Sequence, residues 1–398
     1  MPRFINASWP VLLGLLAAAA HGADRESNAR VEVIARTVAV KDVCAWPNLA
    51  VLPDGSVVAT IFNQPCHGQW EGDVDCWATT DAGATWQLRG TPAPHEPTTN
   101  RMNVAAGVNV KGELIVLASG WSHRPPPPPH DKPDGKPVGH GPPAAPLPTW
   151  VCRSADGGRT WTRAEGVEPP SRSRVATASG PGLSDRIVPF GDVIRIGDGL
   201  LGGCFYAENK ESEGHDSLFF TSADDGRTWQ CAAVISRGDS NETAPLRLPG
   251  GALLACGRTT KDQHLELFRS TDNGKTWSWE LGVSRGMQIP AHLRLLADGR
   301  LLLSYGDRTG SWERPPADAA GGTVDLSRTP HAILVRTSAD GGRSWTAPLR
   351  IAGFDHDGGY PATVELADGR LLTAYYARRT PRHDGYHMAT VLWRLPAK

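Results

Sequence analysis

Little in this chain favours helix. Across 398 residues no stretch sustains apolar spacing at i, i+3, i+4 and i+7, while 44 Gly and 33 Pro interrupt it throughout; a helical bundle is thereby excluded. A surplus of one charge is also missing. Lys and Arg total 41 against 42 Asp and Glu, a formal net charge of −1, which gives no electrostatic case for nucleic acid as a partner. The seven Cys contain no Cys-x-x-Cys spacing, the usual mark of a structural zinc site. Past the first two dozen residues no apolar run is long enough to cross a bilayer, so membrane insertion is not expected.

Residues 1–23 are different. Arg3 precedes an apolar stretch from Val11 to Ala20 and small residues through Ala23, the layout of a secretory signal. The expected mature protein, residues 24–398, is then secreted or periplasmic. With seven Cys at least one thiol stays unpaired; Cys66 and Cys76, which flank one loop, are the pair placed to bridge, whereas Cys204, Cys231 and Cys256 fall in strand-like runs and read as buried thiols.

What the chain does have is a repeat. TTDAGATW ends at Trp86, SADGGRTW at Trp161, SADDGRTW at Trp229, STDNGKTW at Trp277 and SADGGRSW at Trp345. Each is Ser/Thr-x-Asp-x-Gly-x-Thr/Ser-Trp, a tight turn whose Asp accepts backbone N–H bonds, whose Gly supplies positive φ and whose Trp enters an apolar layer. A second repeat interleaves with it: Gly turns at Gly55, Gly112, Gly199, Gly251, Gly299 and Gly369, each leading into a short run rich in β-formers such as SVVATIF or RLLLSYG. The first five Gly turns are each followed by one Asp motif, which defines a unit of strand, Gly turn, strand, loop, strand, Asp motif, strand. Six turns make six units of one domain, an architecture that overrides the two or three domains suggested by length. The sixth unit ends in ATVLWRL, and RVEVIARTVAV at the other end has no Gly turn of its own, so the two segments are expected to pair and close a ring.

The eight-residue motif resembles the Asp-box of the sialidase (neuraminidase) superfamily, and the resemblance covers nearly the whole mature chain. It implies an all-β, six-bladed β-propeller of the sialidase type in which the Asp-boxes stabilise peripheral hairpins and are not catalytic. The segment 121–150, with five consecutive Pro, reads as a long insertion of the second blade; its His123, His130 and His140 are taken as solvated in preference to a metal or glycan contact.

In a propeller the residues just ahead of each inner strand reach the mouth of the central channel, and here they are rich in ionisable groups, which are costly at strand starts unless paired or placed in a site. Sialidases resemble NETAPLRLPGGALLACGR in placing a Glu at the start of the blade-4 inner strand and an Arg at the end of the next; Glu242 and Arg258 stand 16 residues apart. The family's nucleophilic Tyr precedes the last inner strand, where GGYPATVELADGRLL offers Tyr360. The resemblance thus implies Tyr360 as nucleophile with Glu242 as its base, since a phenol with pKa near 10 needs one. The acid is sought in QPCHGQWEGDVD, with Asp73 first and Glu71 second, and His67 as a further proton-transfer candidate. Arg308, with Arg328 behind it, would complete a carboxylate clamp.

One departure stands out. Sialidases carry Phe/Tyr-Arg-Ile-Pro at the start of blade 1, and here Cys44-Ala45-Trp46-Pro47 puts Ala45 where the central Arg belongs. Arg101 and Arg186, at the mouths of blades 2 and 3, are the candidates to replace it. The expected function is an exo-acting glycosidase resembling exo-α-sialidase that removes a terminal acidic sugar from glycans. Two alternatives stay open: a sialidase-like propeller acting on a non-sialic sugar, by hydrolysis or by a lyase step with His67 or His292 as base, and a non-catalytic glycan-binding propeller stacking sugars on Trp46, Trp70 and Trp121. A glycan or glycoconjugate is the expected partner, with the protein a monomer. No metal or other cofactor is expected at the site, although the loop Asp355-His356-Asp357 leaves a structural calcium open.

Overall fold

The computed structural model describes residues 31–127, 144–172, 184–212, 214–310, 330–380 and 382–396. The signal segment, His130, His140, Arg328 and the centre of the Pro-rich insertion lie outside the described residues. Within them the chain is all-β apart from one 3-10 turn, Pro170–Arg172, and forms the six-bladed propeller.

Blade 1 runs through Cys44–Val51, Val57–Phe62, Val74–Thr79 and Gln87–Ala93, and blade 2 through Asn103–Val108, Leu114–Ser119, Trp150–Ser154 and Thr162–Glu165. Blade 3 comprises Ile187–Gly197, Leu200–Glu208, His215–Ser222 and Gln230–Ser236; blade 4, Ser240–Arg247, Leu253–Thr259, Leu265–Ser270 and Ser278–Gly282. Blade 5 comprises Gln288–Leu295, Leu301–Asp307, His331–Ser338 and Leu349–Phe354. Each is an antiparallel meander; blades 2 and 3 are joined as one sheet through the parallel pairs Gly191↔Ala105 and Asp192↔Ala106 of their inner strands. Blade 6 takes Gly358–Glu365, Leu371–Ala377 and His387–Arg394 from the end of the chain and its outermost strand, Glu32–Lys41, from the beginning. That pairing runs from Glu32↔Arg394 to Lys41↔His387, the ring closure expected from the two unmatched end segments.

The Asp-boxes connect third to fourth strands, and each repeats one hydrogen-bond pattern. In the second, Asp156 Oδ1 accepts from the Arg159 and Thr160 amides at 3.0 and 2.9 Å, its other oxygen from the Thr160 hydroxyl at 2.7 Å, and the Ser154 hydroxyl accepts from the Gly158 amide at 2.8 Å. The Gly of the motif needs positive φ, +93° at Gly158 and +83° at Gly274, and also needs to lack a side chain: a Cβ on Gly274 would stand 2.2 Å from Phe219 of blade 3, and one on Gly158 2.7 Å from Cys76 of blade 1. Each Asp-box therefore docks on the preceding blade. Its Trp joins the apolar cluster between the two, as Trp161 does with Ala78 and Cys152 and Trp229 with Ile115 and Phe220, and none lines the channel. Six such clusters form the core, one per blade interface.

All seven Cys are free and buried. Cys66 and Cys76, the pair placed to bridge, do not: Cys76 packs between blades 1 and 2, and Cys66 at the channel mouth.

The Asp-box carboxylates bear on acid stability. Hydrogen bonds from Thr85 hold Asp81 at about 2; at Asp272 burial is the largest single influence and raises the pKa, but the hydrogen bonds from Thr276 and Ser270 together outweigh it and hold it at about 2, against 3.8 unperturbed. A folded-state pKa below the unfolded one gives stability that is complete above the unfolded value and lost as pH falls through the folded one. Unfolding free energies measured between pH 5 and 2 are thus expected to fall less steeply for Asp81→Asn/Asp272→Asn than for wild type; equal slopes would contradict this assignment.

Candidate functional site

Inner strands do not run regularly to the channel mouth. Their pairing with the second strand slips between Cys44 and Asn48 in blade 1, Ser240 and Thr243 in blade 4, Gln288 and Ala291 in blade 5, and Gly359 and Ala362 in blade 6. Bulges of this kind re-aim side chains, and here they turn polar and aromatic residues from four blades toward one end of the channel. One of them holds Tyr360, a non-Gly residue, at φ +54°, a conformation that costs on the order of 1 kcal/mol or more and is held only by its surroundings.

Tyr360 is 5% exposed, and its hydroxyl donates to Glu242 Oε1 at 2.6 Å. Arg258 closes the triangle: its Nη1 donates to Glu242 Oε2 at 2.6 Å and to the Tyr360 hydroxyl at 3.2 Å, while Nη2 donates to Gln263 at 2.5 Å. Burial opposes the Arg258 charge, but Glu242 and then Tyr360 outweigh it and the guanidinium pKa is raised. Burial, reinforced by the charge of Glu242, drives the Tyr360 phenol well above its ordinary value in spite of Arg258 and Arg308. The hydroxyl is therefore protonated at rest, with its acceptor already in hydrogen-bond reach.

Arg308 lies 5.6 Å from the Tyr360 ring, its guanidinium over the ring face. Its Nε and Nη2 donate to the Gly358 carbonyl at 2.9 and 2.6 Å, Nη2 donates to the Tyr376 hydroxyl at 3.0 Å, and Asp357 Oδ1 is 3.7 Å away. Asp357 also accepts from the Tyr376 and Tyr386 hydroxyls, both at 3.0 Å, and faces His67 Nδ1 at 3.4 Å. Burial works against its charge, but the His67 contact, Arg308 and Tyr376 prevail and its pKa falls well below the ordinary carboxylate range. Both Asp357 oxygens are engaged by protein donors, so this carboxylate is an anchor for side chains. Trp46 stacks on Tyr360 at 4.9 Å and 26° and meets His67 edge-on at 5.4 Å. Together with Phe62, Trp70, Met102 and Phe190 these residues form a seventh apolar cluster that caps the channel.

Of the residues singled out in the sequence, Tyr360, Glu242, Arg258, Arg308 and His67 meet here. Asp73, Glu71, Arg101 and Arg186 do not. Asp73 accepts from both the amide and Nδ1 of His95, at 2.7 and 2.6 Å, and from Asn63; Glu71 accepts from the Thr98 amide and lies 3.8 Å from His95 Nε2. Both carboxylates hold their own loop to the blade-2 entry. Arg101 does not enter the mouth: it is 2% exposed, sits 3.6 Å over the Trp150 ring, donates to the Pro148 carbonyl at 2.8 Å and pairs with Glu96 at 3.6 Å. Arg186 opens on a different cleft, about 860 Å³ between blades 2 and 3, shared with Glu165, Glu168, Arg172 and Asp185. It is larger than the small cavity lined by Tyr360, Trp46 and His292. His292 is 4% exposed, with Nδ1 accepting from the Thr363 amide at 3.3 Å and Nε2 facing Asp192 at 3.3 Å, and it lines a small cavity together with Trp46 and Tyr360.

Asp357, Tyr376 and Tyr386 were missed as site residues. Tyr376 was findable: it follows Leu371 by the same five positions that separate Leu253 from Arg258, the strand-end place that carries Arg258 in blade 4.

Fold and site together define a propeller of the sialidase type. Residues 144–373, more than half of the chain, match the BNR repeat-like domain, and the chain belongs to that family. A protein of unknown function from Dyadobacter fermentans is 21% identical with a TM-score of 0.66, over 92% of this chain and 98% of its own. A Hadza microbial sialidase is 19% identical, TM-score 0.60, over 87% of this chain and 65% of its own; Trypanosoma rangeli sialidase in complex with the inhibitor DANA is 17% identical, TM-score 0.59, over 89% and 55%. The chain thus spans about two thirds of the first sialidase and about half of the second. At these identities the likeness is one of fold. No curated protein matches the sequence.

The Arg101 correction is testable. Arg101→Ala removes a buried cation from an aromatic face and leaves the Pro148 carbonyl unpaired, a loss of about 2–4 kcal/mol in unfolding free energy. Ligand affinity at the Tyr360 mouth is expected to stay within about twofold by titration calorimetry in conditions where the variant is folded; a selective loss of affinity at full stability would restore Arg101 to the site.

Proposed function

We propose that the protein is a glycoside-cleaving enzyme in which Tyr360 attacks the anomeric carbon and Glu242 takes its proton. The observation that carries this reading is the 2.6 Å hydrogen bond from the buried phenol to Glu242, braced by Arg258 on both partners. A phenol whose pKa is raised stores no phenolate, so it becomes a nucleophile only if its proton leaves as the new bond forms. Glu242 is placed to receive that proton, and Arg258 is placed to stabilise negative charge on either oxygen while it moves. The same carboxylate returns the proton when water releases the sugar, an outcome with retained configuration. Export to meet glycans outside the cytoplasm is part of the proposal and rests on the apolar N-terminal segment.

A second observation bears on the sugar. Arg258 is paired with Glu242, and Arg308 is bound to the Gly358 carbonyl and faced by Asp357. Two cations thus have two anions of their own. Where a third guanidinium would stand, Ala45 is fully buried and Trp46 covers Tyr360. A substrate carboxylate arriving here displaces an existing partner or stays unpaired in a desolvated pocket, at a cost of several kcal/mol. The reading favoured is therefore a sugar with no carboxylate at the anomeric carbon, in place of a sialate.

Turnover of 4-nitrophenyl glycosides of N-acetylneuraminate, glucuronate and rhamnose tests both parts. Tyr360→Phe and Glu242→Gln are each expected to lower kcat on the best substrate by about 10²–10⁴-fold with the fold intact; full activity in Tyr360→Phe would reject the nucleophile. The sialoside is expected to be the poorer substrate by at least about 100-fold in kcat/KM, and the reverse order would reject the argument from paired charges.

A further inference from the structure

Cleavage of a glycosidic bond through Tyr360 leaves negative charge on the departing oxygen, and the two carboxylates of the blade-1 loop that sequence offered as its proton source are bound to His95, Asn63 and Thr98. The same loop carries His67 elsewhere. Its ring meets Trp46 edge-on at 5.4 Å and Tyr376 edge-on at 5.9 Å, and those two rings lie 4.9 and 5.8 Å from the Tyr360 ring. His67 and Tyr360 thus share two aromatic walls of one mouth, with Tyr360 nearly closed off and the His67 side chain 35% exposed.

We infer that His67 is the proton donor to the leaving oxygen, with Asp357 as its positioning residue; this rests on the glycosidase reading above. Asp357 Oδ2 accepts at 3.4 Å from Nδ1, which assigns a proton to that nitrogen, fixes the ring plane and leaves Nε2 as the nitrogen that works. Asp357 is itself fixed by Tyr376, Tyr386 and Arg308, so the ring is braced from blade 6 while its backbone belongs to blade 1. The balance is as follows. The Tyr360 oxygen bonds to the anomeric carbon, its proton passes to Glu242, the glycosidic C–O bond breaks, and the proton on Nε2 goes to the departing oxygen, which leaves as an alcohol. Water then attacks the anomeric carbon, gives a proton to Nε2, and Tyr360 departs with the proton held by Glu242. One glycoside and one water become one sugar and one alcohol, and every protein group is restored.

A proton donor matters in proportion to how poor the leaving group is. The test compares wild type, His67→Gln and Asp357→Asn on the 4-nitrophenyl and the methyl glycoside of the sugar that the wild-type protein cleaves best in the panel above. Expected for His67→Gln is a loss of about 10²–10⁴-fold in kcat/KM on the methyl glycoside and less than about 10-fold on the 4-nitrophenyl glycoside, whose leaving group needs no proton; Asp357→Asn is expected to split the substrates in the same direction by a smaller factor. Equal losses on both substrates, or none, would overturn the assignment and make His67 structural. Tyr360→Phe, run alongside, separates the two proposals: full activity there with the His67 split intact rejects the nucleophile alone, whereas a wild-type protein that cleaves no member of the panel rejects both.

Discussion

Everything at the mouth depends on closing the ring. Strand Glu32–Lys41 must travel the length of the chain to pair with His387–Arg394, and bringing such distant segments together costs several kcal/mol in chain entropy on the order of (3/2)RT ln n. The return comes from two apolar interfaces that exist only in the closed state: Val33 and Trp393 join the cluster between blades 5 and 6, and Val40 and Met388 join that between blades 6 and 1. The site straddles the same seam. Tyr360, Asp357 and Tyr376 come from blade 6 and its entry, Trp46 and His67 from blade 1, so the Trp46–Tyr360 stack and the His67–Asp357 contact are made across a join that the chain completes last in sequence and not by local folding.

Closure explains how a strained nucleophile is held. Tyr360 at φ +54° relaxes unless its ring is fixed from outside its own strand. Trp46 stacks on it from blade 1, Phe190 meets it edge-on at 6.1 Å from blade 3, and Glu242 and Arg258 hold its hydroxyl from blade 4. Opposed blades thus position one side chain, which is the service a propeller gives that a single sheet does not.

Legibility in the sequence followed the strictness of the physics. The Asp-boxes were plain because each position has one steric or hydrogen-bonding requirement, down to a Gly with no room for a Cβ, and six Gly turns fixed the blades because a two-stranded hairpin needs them. Glu242 and Arg258 were legible because hairpin arithmetic returns them to one end, with the bulge at Ser240–Thr243 supplying the last adjustment. Arg101 and Arg186 were misjudged because being near a strand start does not say which way a side chain points; the insertion after Trp121 gives Arg101 a carbonyl and an indole to bind, and no repeat encodes that. The partners of Asp73 and Glu71 were hidden for a related reason. A loop rich in carboxylates has internal donors, and His95 lies 22 residues beyond Asp73, outside any pattern that would announce the contact.

The charge arrangement gives a physical reason for a phenol at this place. Glu242 and Asp357 already set two anions against Arg258 and Arg308. A carboxylate nucleophile at position 360 would add a third anion to a pocket where blade 1 offers Trp46 and a buried Ala45 instead of a third guanidinium, and an unpaired charge in such surroundings is expensive. A phenol avoids that cost because it is neutral at rest. When its proton moves 2.6 Å to Glu242, the negative charge changes oxygen without changing in number, Arg258 touches both oxygens, and bonding to carbon then discharges the phenolate. Electrical balance is kept at each step, so the pocket can stay dry and aromatic while the chemistry runs; the same balance is what leaves neither guanidinium spare for a substrate carboxylate.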